Sequence, residues 1–160
     1  MPRTLLGTAA ALTVALSLAG GAPAQEAAQQ AEPVGPKLTE KLRDMLRREM
    51  NAVLGASLQI QDALVRGESD RVAELAQSIH DSFILAQELT PQDRADLRAA
   101  VPAAFVERDQ AFHELTGELA AAAREDDGAR QHQLFGEVVT ACAACHERYA
   151  TDRFPAFVEQ

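Results

Sequence analysis

The chain has 160 residues, with 15 basic and 24 acidic side chains and a formal net charge of −9. This acidic balance argues against a nucleic-acid ligand or an anionic membrane surface, and it favours a basic protein partner or simply high solubility. Alanine, leucine, glutamate, glutamine and arginine dominate, and no alternating pattern typical of strands persists. Because those residues are good helix formers, the composition predicts an all-α protein.

The first 24 residues have the pattern of a secretory signal peptide. Arg3 is the only charged residue among the first 25, an apolar stretch covers residues 5–19, and small residues follow as far as Ala24. A positive start, a short apolar core and an A-x-A site predict cleavage after Ala24 and a periplasmic protein. The apolar stretch is shorter than the roughly 20 residues of a membrane-spanning helix, although an uncleaved anchor is the alternative. No second apolar run follows, so no membrane span is expected after cleavage.

Residues 25–36 are polar and contain Pro33, Gly35 and Pro36, a composition that predicts a flexible leader. The remaining residues, 37–160, are expected to form one domain. Four long amphipathic helices and a short one are predicted within it, separated by turn residues. They are placed at 37–66, 69–89, 91–100 and 102–124, and from 129 past His146.

The ends of these predicted helices carry capping residues. Either Thr39 or Lys37 is expected to open the first helix, and Gly67 is expected to close it as a C-cap glycine. Thr90 and Asp93 resemble a capping box that starts the short helix. Since the connections are mostly short, the helices pack most simply as an antiparallel four-helix bundle.

The last predicted helix contains the chemistry-bearing motif of the sequence. Its residues Cys142, Cys145 and His146 form a C-x-x-C-H, and these are the only two cysteines in the chain. Positions three apart share one face of a helix, so both thiols can meet the edge of one flat ring. C-x-x-C-H is the attachment signature of haem c, in which two thioethers hold the ring and the histidine binds iron. The sequence therefore predicts one covalent haem c, with His146 as the proximal iron ligand.

Three other interpretations of the motif are weaker. A structural disulfide suits an oxidising compartment, but a bridge between Cys142 and Cys145 closes a very small loop and stabilises little. A thioredoxin-like redox pair belongs near a βαβ pattern, which this sequence does not show. A zinc site needs four ligands, and Cys142, Cys145 and His146 supply three.

The segment 138–149, which ends in C-x-x-C-H-Glu-Arg-Tyr near the end of the last helix, resembles the class II c-type cytochromes, the cytochrome c-prime family. A tyrosine three residues after the histidine is common in that family, and Tyr149 occupies this place. A basic residue often follows the tyrosine, whereas this chain has Ala150. The resemblance covers the chain from about residue 37 onward and implies a haem-binding four-helix bundle. It also implies a homodimer, for which Leu58 and Val65 lie off the main apolar stripe of the first helix.

The resemblance implies that a residue of the first helix lies over the haem face opposite His146. After Met1, the only methionines are Met45 and Met50, and both lie in that helix. Counting equal steps along the first and last helices from their shared end places Met50 close to the level of the iron. Met50 is therefore the candidate distal ligand and Met45 the alternative, unless both simply fill the core. Whether or not a methionine binds the iron, the residues expected to line the pocket on that face of the haem are Leu46, Val53 and Leu54.

Two functions follow from this resemblance. Members with a bonded methionine are six-coordinate electron carriers, which is the favoured function here, although the sequence does not identify the redox partner. Members with an unbonded apolar residue are five-coordinate proteins that bind NO or CO, which is the alternative. An enzyme such as a haem peroxidase would need distal acid–base residues, but Glu49 and Arg47 are expected to be ordinary surface charges, so no enzymatic activity is expected. The histidines outside the motif are expected to be exposed or hydrogen-bonded and not iron ligands: His80, His113 and His132.

Overall fold

A computed structural model describes residues 31–82 and 89–157. All regular secondary structure in these ranges is helical, so the predicted all-α class is confirmed. The α-helices are α1 (Glu40–Arg66), α2 (Ser69–His80), α3 (Pro91–Ala100), α4 (Ala103–Arg124) and α5 (Gly128–Tyr149), with 3-10 turns at Gly35–Lys37 and Pro155–Phe157. Among the described residues, no helix is long and apolar enough to cross a membrane. The predicted signal peptide, residues 1–24, lies outside the described ranges.

The ends of α1 follow its capping residues. The Thr39 hydroxyl accepts a hydrogen bond from the backbone N–H of Leu42 at 3.3 Å, which satisfies one of the free donors of the first turn. Gly67 ends the helix at φ 72°, in the left-handed region that favours glycine. Residues Gly35–Lys37 form a separate 3-10 turn, so of the two predicted opening residues Thr39 is the N-cap of α1 and Lys37 is not.

Helix α2 ends earlier than the sequence predicts. It stops at His80, whereas the prediction extended it to residue 89. At this end the Ile79 carbonyl accepts hydrogen bonds from the Ser82 N–H, the Ser82 hydroxyl and the His113 ring, at 3.0, 2.9 and 2.7 Å. The bond from His113 ties this end of α2 to the facing helix α4. The rest of that predicted helix, residues 83–88, lies outside the described part of the chain.

The helices pack in a defined order. Helix α1 lies against α2, α2 against α4, and α4 against α5, while α1 and α5 also touch. The Val34 N–H donates to the Tyr149 carbonyl at 3.0 Å, which joins the start of α1 to the end of α5. The Gln131 amide donates to the Ser69 hydroxyl at 3.2 Å, which joins the start of α5 to the residues just after α1. Helices α1 and α5 are therefore antiparallel.

Two apolar clusters form the core. The larger one, here the inner cluster, fills the space between α1, α2, α4 and α5 and includes Val53, Ile60 and Leu119. The smaller one, here the terminal cluster, lies where the end of α5 meets the start of α1. Its buried members are Val34, Leu38, Leu42, Leu89, Leu97, Val101, Phe105 and Tyr149.

The last part of the predicted flexible leader is ordered against α5. Val34 is only 3% exposed and belongs to the terminal cluster. The Glu32 N–H donates to the Arg148 carbonyl at 2.7 Å, beside the bond from Val34. The final carbonyls of a helix have no partner within the helix, and this segment supplies donors for two of them, those of Arg148 and Tyr149. Glu32 and Val34, in the last part of the predicted leader, are therefore held against the end of α5, while residues 25–30 lie outside the described ranges.

Helices α2 and α4 approach closely at Gly117. The His80 ring donates from Nδ1 to the His113 carbonyl at 2.7 Å, and the His113 ring donates from Nδ1 to the Ile79 carbonyl at 2.7 Å. A Cβ atom added at Gly117 would lie 2.9 Å from His80 Nδ1. Since that ring is held by its hydrogen bond, a larger residue at this position would push the two helices apart.

We expect Gly117→Ala to lower the free energy of unfolding by about 1–3 kcal/mol, the usual cost of overpacking. Gly136→Ala is the matched control, because Gly136 lies within α5 and has no atom within 4 Å of an added Cβ. There the loss of glycine flexibility should leave stability unchanged or raise it by about 0.5–1 kcal/mol. Urea denaturation measures both, and equal stability of the two variants would contradict the close approach.

Helix α3 begins with the predicted capping box. The Asp93 N–H donates to the Thr90 hydroxyl at 3.1 Å, and the Thr90 N–H donates to the Asp93 carboxylate at 2.9 Å. The Lys41 ammonium on α1 also donates to that carboxylate, at 2.5 Å. Hydrogen bonds from Lys41, and then from the Thr90 hydroxyl and N–H, lower the pKa of Asp93 from 3.8 to about 2. One carboxylate therefore starts α3 and ties it to α1.

This carboxylate should make the fold sensitive to acid. Because the folded-state pKa of Asp93 lies below the unfolded value of 3.8, its contribution is complete above about pH 4 and is lost as the pH falls to about 2. Asp93→Asn should be less stable than the parent at neutral pH, and the difference should shrink across that window. Urea denaturation at a series of pH values tests this, with Asp70→Asn in the exposed first turn of α2 as control. A difference that stays constant down to about pH 2 would overturn the assignment.

Candidate functional site

The predicted motif lies on the last two turns of α5. Cys142, Cys145 and His146 are all half-buried, and both thiols are free. After α5 the chain turns back, with the Phe154 N–H donating to the Ala150 carbonyl at 3.0 Å. This turn stacks the Phe154 ring on the His146 ring, with centroids 4.5 Å apart and planes 18° from parallel. The structure therefore brings the three predicted residues together at one partly open helix end.

The surroundings of the motif are apolar. Cys145 packs against the terminal cluster. Within that cluster, the Phe105 and Tyr149 rings meet edge to face with centroids 5.3 Å apart. The Tyr149 hydroxyl is buried and has no hydrogen-bond partner in the described part of the chain. One wall of the site is therefore apolar, apart from the Tyr149 hydroxyl.

Burial sets the protonation of all three residues. It raises the pKa of the Cys142 thiol, and with the nearby Asp109 carboxylate it raises the pKa of the Cys145 thiol to about 11. Burial also lowers the pKa of His146. The imidazole is therefore neutral at neutral pH, which is the form that binds a metal. The thiols are protonated, so they are weak nucleophiles in the folded chain.

The two methionines lie in different places along α1. Met45 packs against the terminal cluster, as Cys145 and Leu46 do. Met50 packs against the inner cluster. Both are partly buried. Ligation by either Met50 or Met45 stays a prediction.

Two expectations about α1 are wrong. Leu54, expected to line the pocket, is 59% exposed and faces away from the core. Glu49, expected to be a surface charge, is only 4% exposed. Arg47 is exposed as expected and pairs with Asp44 at 2.9 Å. Glu49 differs because it follows Leu42 by two helical turns and so lies on the buried stripe, a periodic signal that its charge concealed.

Glu49 belongs to a buried group of ionisable residues between α1 and α4. Its Oε1 lies 3.5 Å from His113 Nε2, and Asp109 Oδ1 lies 3.8 Å from the same nitrogen. Burial, reinforced by the Glu49 charge, raises the pKa of Asp109 to about 6. Burial alone would lower the pKa of His113, but Glu49 and Asp109 reverse this and raise it. A protonated His113 between two carboxylates is the arrangement that satisfies all three groups.

The histidines outside the motif are hydrogen-bonded, as expected. The Nδ1 atoms of His80 and His113 donate to carbonyls of the facing helix, at 2.7 Å each. His132 is exposed, and its Nδ1 donates to the Gly128 carbonyl at 2.6 Å, one turn earlier in α5.

The thiols should react slowly in haem-free folded protein. Raising the pKa of Cys145 from 9.0 to about 11 lowers its thiolate fraction near neutral pH about 100-fold. In Cys142→Ser only Cys145 remains, so its alkylation by iodoacetamide can be followed by mass spectrometry. We expect a rate about 100-fold below that of the same variant in concentrated urea. Equal rates in the two conditions would contradict the burial of this thiol.

The residues present fit a haem group. Two thiols one helical turn apart, a neutral imidazole beside them and an apolar wall are suited to a flat, largely apolar ring with an iron atom. The buried Tyr149 hydroxyl without a partner is a further sign that this wall accommodates another group.

Comparison with known proteins bears on the same part of the chain. The family model described as Cytochrome C' matches residues 39–150, which run from the N-cap of α1 to the residue after α5. No curated protein and no solved structure gives a significant match. That family binds haem, in agreement with the residues at the end of α5. The chain therefore belongs to the cytochrome c′ family, the class II c-type cytochromes.

Proposed function

We propose that this protein is an exported, single-haem c-type cytochrome that carries electrons in the periplasm. One haem c is linked through thioethers to Cys142 and Cys145, with His146 as the proximal ligand. The observation that carries the proposal is the C-x-x-C-H motif on the last turns of α5 in a chain of this family. The bound haem supplies reversible one-electron oxidation and reduction of iron.

The residues around the motif have roles in that function. Phe154 stacks on His146 and holds the orientation of its ring. Phe105 and Tyr149 keep water from one side of the site, and an apolar environment disfavours the extra positive charge of ferric iron. Val34 closes the end of α5 against solvent. Together these contacts support a haem in a fixed, partly dry environment, as electron transfer requires.

We also propose that residues 37–160 form an antiparallel four-helix bundle of α1, α2, α4 and α5. The antiparallel relation of α1 and α5 and the packing of α2 on α4 support this arrangement. Helix α3 is the extra short helix in the connection between α2 and α4.

The sixth iron position decides between two functions. A thioether ligand raises the reduction potential and is typical of electron carriers. The count of residues along α1 favours Met50, whereas the shared cluster with Cys145 favours Met45. The second candidate function, a five-coordinate protein that binds NO or CO, is favoured by the packing of both methionines in apolar clusters as ordinary core residues.

The protein surface supports two further proposals. The net charge of −9 would favour a redox partner with a basic docking surface. A homodimer would be formed through the exposed apolar side chains of α1, since Leu54, Leu58 and Val65 are 59%, 60% and 82% exposed. We propose no enzymatic activity and no nucleic-acid ligand.

The visible absorption spectrum of protein matured in an exporting host tests the function. We expect sharp low-spin bands on reduction and no response to CO, because a sixth ligand would block gas binding. Met50→Ala should then open the site to CO, and Met45→Ala serves as its matched control on the same helix. If Met45→Ala alone opens the site, the ligand is Met45.

Broad high-spin bands in the parent, with a clear change on adding CO, would contradict the electron-carrier proposal and support the gas-binding alternative. A colourless protein would overturn both.

A further inference from the structure

The charged residues of the described chain are unevenly divided along the helix axes. One half, here the motif half, is residues 31–53, 89–113 and 139–157, which contain the start of α1, helix α3 and the end of α5. The other, here the far half, is residues 54–82 and 114–138, which contain the turns from α1 to α2 and from α4 to α5. The motif half has ten basic and ten acidic side chains, whereas the far half has four basic and eleven acidic ones. The excess of negative charge therefore lies in the far half.

At the surface, the two halves have opposite charge. All eleven acidic side chains of the far half are exposed, and of its basic side chains only those of Arg66 and Arg124 are exposed. In the motif half, seven basic and four acidic side chains are exposed. Some of its carboxylates are buried, since Glu49 and Asp93 are only 4% and 8% exposed. The surface of the motif half is therefore basic, in a chain whose net charge is −9.

The arginines of the two halves also differ in their partners. Arg66, Arg71 and Arg130 of the far half each pair with a carboxylate of that half, at 2.8, 2.6 and 3.1 Å. In the motif half, four exposed arginine side chains make no ion pair or hydrogen bond with any described residue: Arg48, Arg98, Arg108 and Arg153. An unpaired guanidinium keeps its five N–H donors for the carboxylates of another molecule.

Two of these arginines lie beside the C-x-x-C-H motif. Burial and a neighbouring carboxylate raise the pKa of the Cys145 thiol, and the charge of Arg108 acts against them, so Arg108 lies near that thiol. Arg153 directly precedes Phe154, whose ring is 41% exposed and stacks on His146. Arginine and aromatic side chains are enriched among the residues that dominate protein–protein binding. The basic surface therefore adjoins both an attachment cysteine and the proximal histidine.

We infer that the redox partner docks on the end of the motif half around Arg108 and Arg153, and that the partner presents an acidic patch to this surface. The inference rests on the proposed haem at Cys142 and Cys145, because a partner that exchanges electrons must approach that group. Arginine suits this contact, since its planar guanidinium can donate two parallel hydrogen bonds to one carboxylate.

The location of the charge changes the kind of partner that the net charge suggests. The net charge of −9, taken as a whole, favours a basic partner. The start of α5 at Gly128 is 17 residues from Cys145, which is about 25 Å at 1.5 Å per residue. The Debye length is about 10 Å at 0.1 M salt, so the far half is largely screened from a partner at the motif. Such a partner therefore meets the local positive charge.

An acidic protein fits this surface better than an anionic membrane does. A bilayer attracts clusters of about 4–8 basic residues. Here the exposed Glu107 and Asp152 directly precede Arg108 and Arg153, so the sign of the charge alternates within a few residues. Alternating charges weaken the attraction to a uniform anionic surface, whereas they can match the pattern of charges on a protein surface.

The test is the rate at which reduced holoprotein passes one electron from its ferrous iron to a small oxidant, followed by stopped-flow absorption. The probes are the anion hexacyanoferrate(III), which becomes hexacyanoferrate(II), and the cation tris(phenanthroline)cobalt(III), which becomes the cobalt(II) complex. We expect the hexacyanoferrate rate to fall, and the cobalt rate to rise, as the ionic strength increases from about 0.01 to about 0.15 M. The opposite salt dependence, which the net charge of −9 alone would give, would overturn the inference.

Removal of single charges locates the surface. Arg108→Gln and Arg153→Gln should each slow the reaction with hexacyanoferrate about threefold at the low ionic strength, with the same visible spectrum as the parent. Arg124→Gln is the matched control, because it removes an exposed arginine from the far half, and it should change the rate much less. If neither variant is slower than Arg124→Gln, the docking surface is wrong while the haem proposal stands.

Sedimentation of the holoprotein with phosphatidylglycerol vesicles, at the same low ionic strength, tests a membrane as the partner. We expect no binding, whereas binding would assign this surface to a lipid and overturn the protein partner. A protein without covalent haem would overturn the proposed function itself.

Discussion

The backbone hydrogen bonds that close the end of α5 are the constraint on which the site depends. The N–H groups of Glu32 and Val34 donate to the carbonyls of Arg148 and Tyr149, at 2.7 and 3.0 Å. They satisfy a helix end that would otherwise need water, and they let the terminal cluster form beside the motif. With that end fixed, Cys145 packs against the terminal cluster and the His146 ring stacks on Phe154. A haem attached through two thioethers takes its position from the helix that carries both cysteines, so the end of that helix must be rigid.

The other feature that organises this region is the placement of charge inside it. An apolar core would have accepted a leucine at position 49, yet Glu49 is buried there with His113 and Asp109 around it. Such a group is rarely the most stable choice for a core, since removing carboxylates from water is costly. Within this group, the charges of Glu49 and Asp109 offset the burial of His113 and raise its pKa.

The parts of the fold that could be predicted are those with local causes. Gly67 and the Thr90 capping box mark helix ends through contacts within a few residues, and the spacing of Cys142 and Cys145 is itself local. The errors have distant causes. The burial of Val34 depends on the end of a helix more than 100 residues later in the chain. The charge of Glu49 suggests a surface position, whereas its spacing along α1 indicates the core. Its neighbour His113 lies on another helix, α4, so the pattern of α1 alone does not show which of the two positions is right.

The most direct test of the account is the mass of the peptide that contains residues 142–146, taken from protein matured in an exporting host and digested under denaturing, reducing conditions. The account predicts that this peptide carries one haem through two thioethers, so that neither cysteine can be alkylated. A peptide with the mass of its amino acids alone, with both thiols open to alkylation, would contradict it.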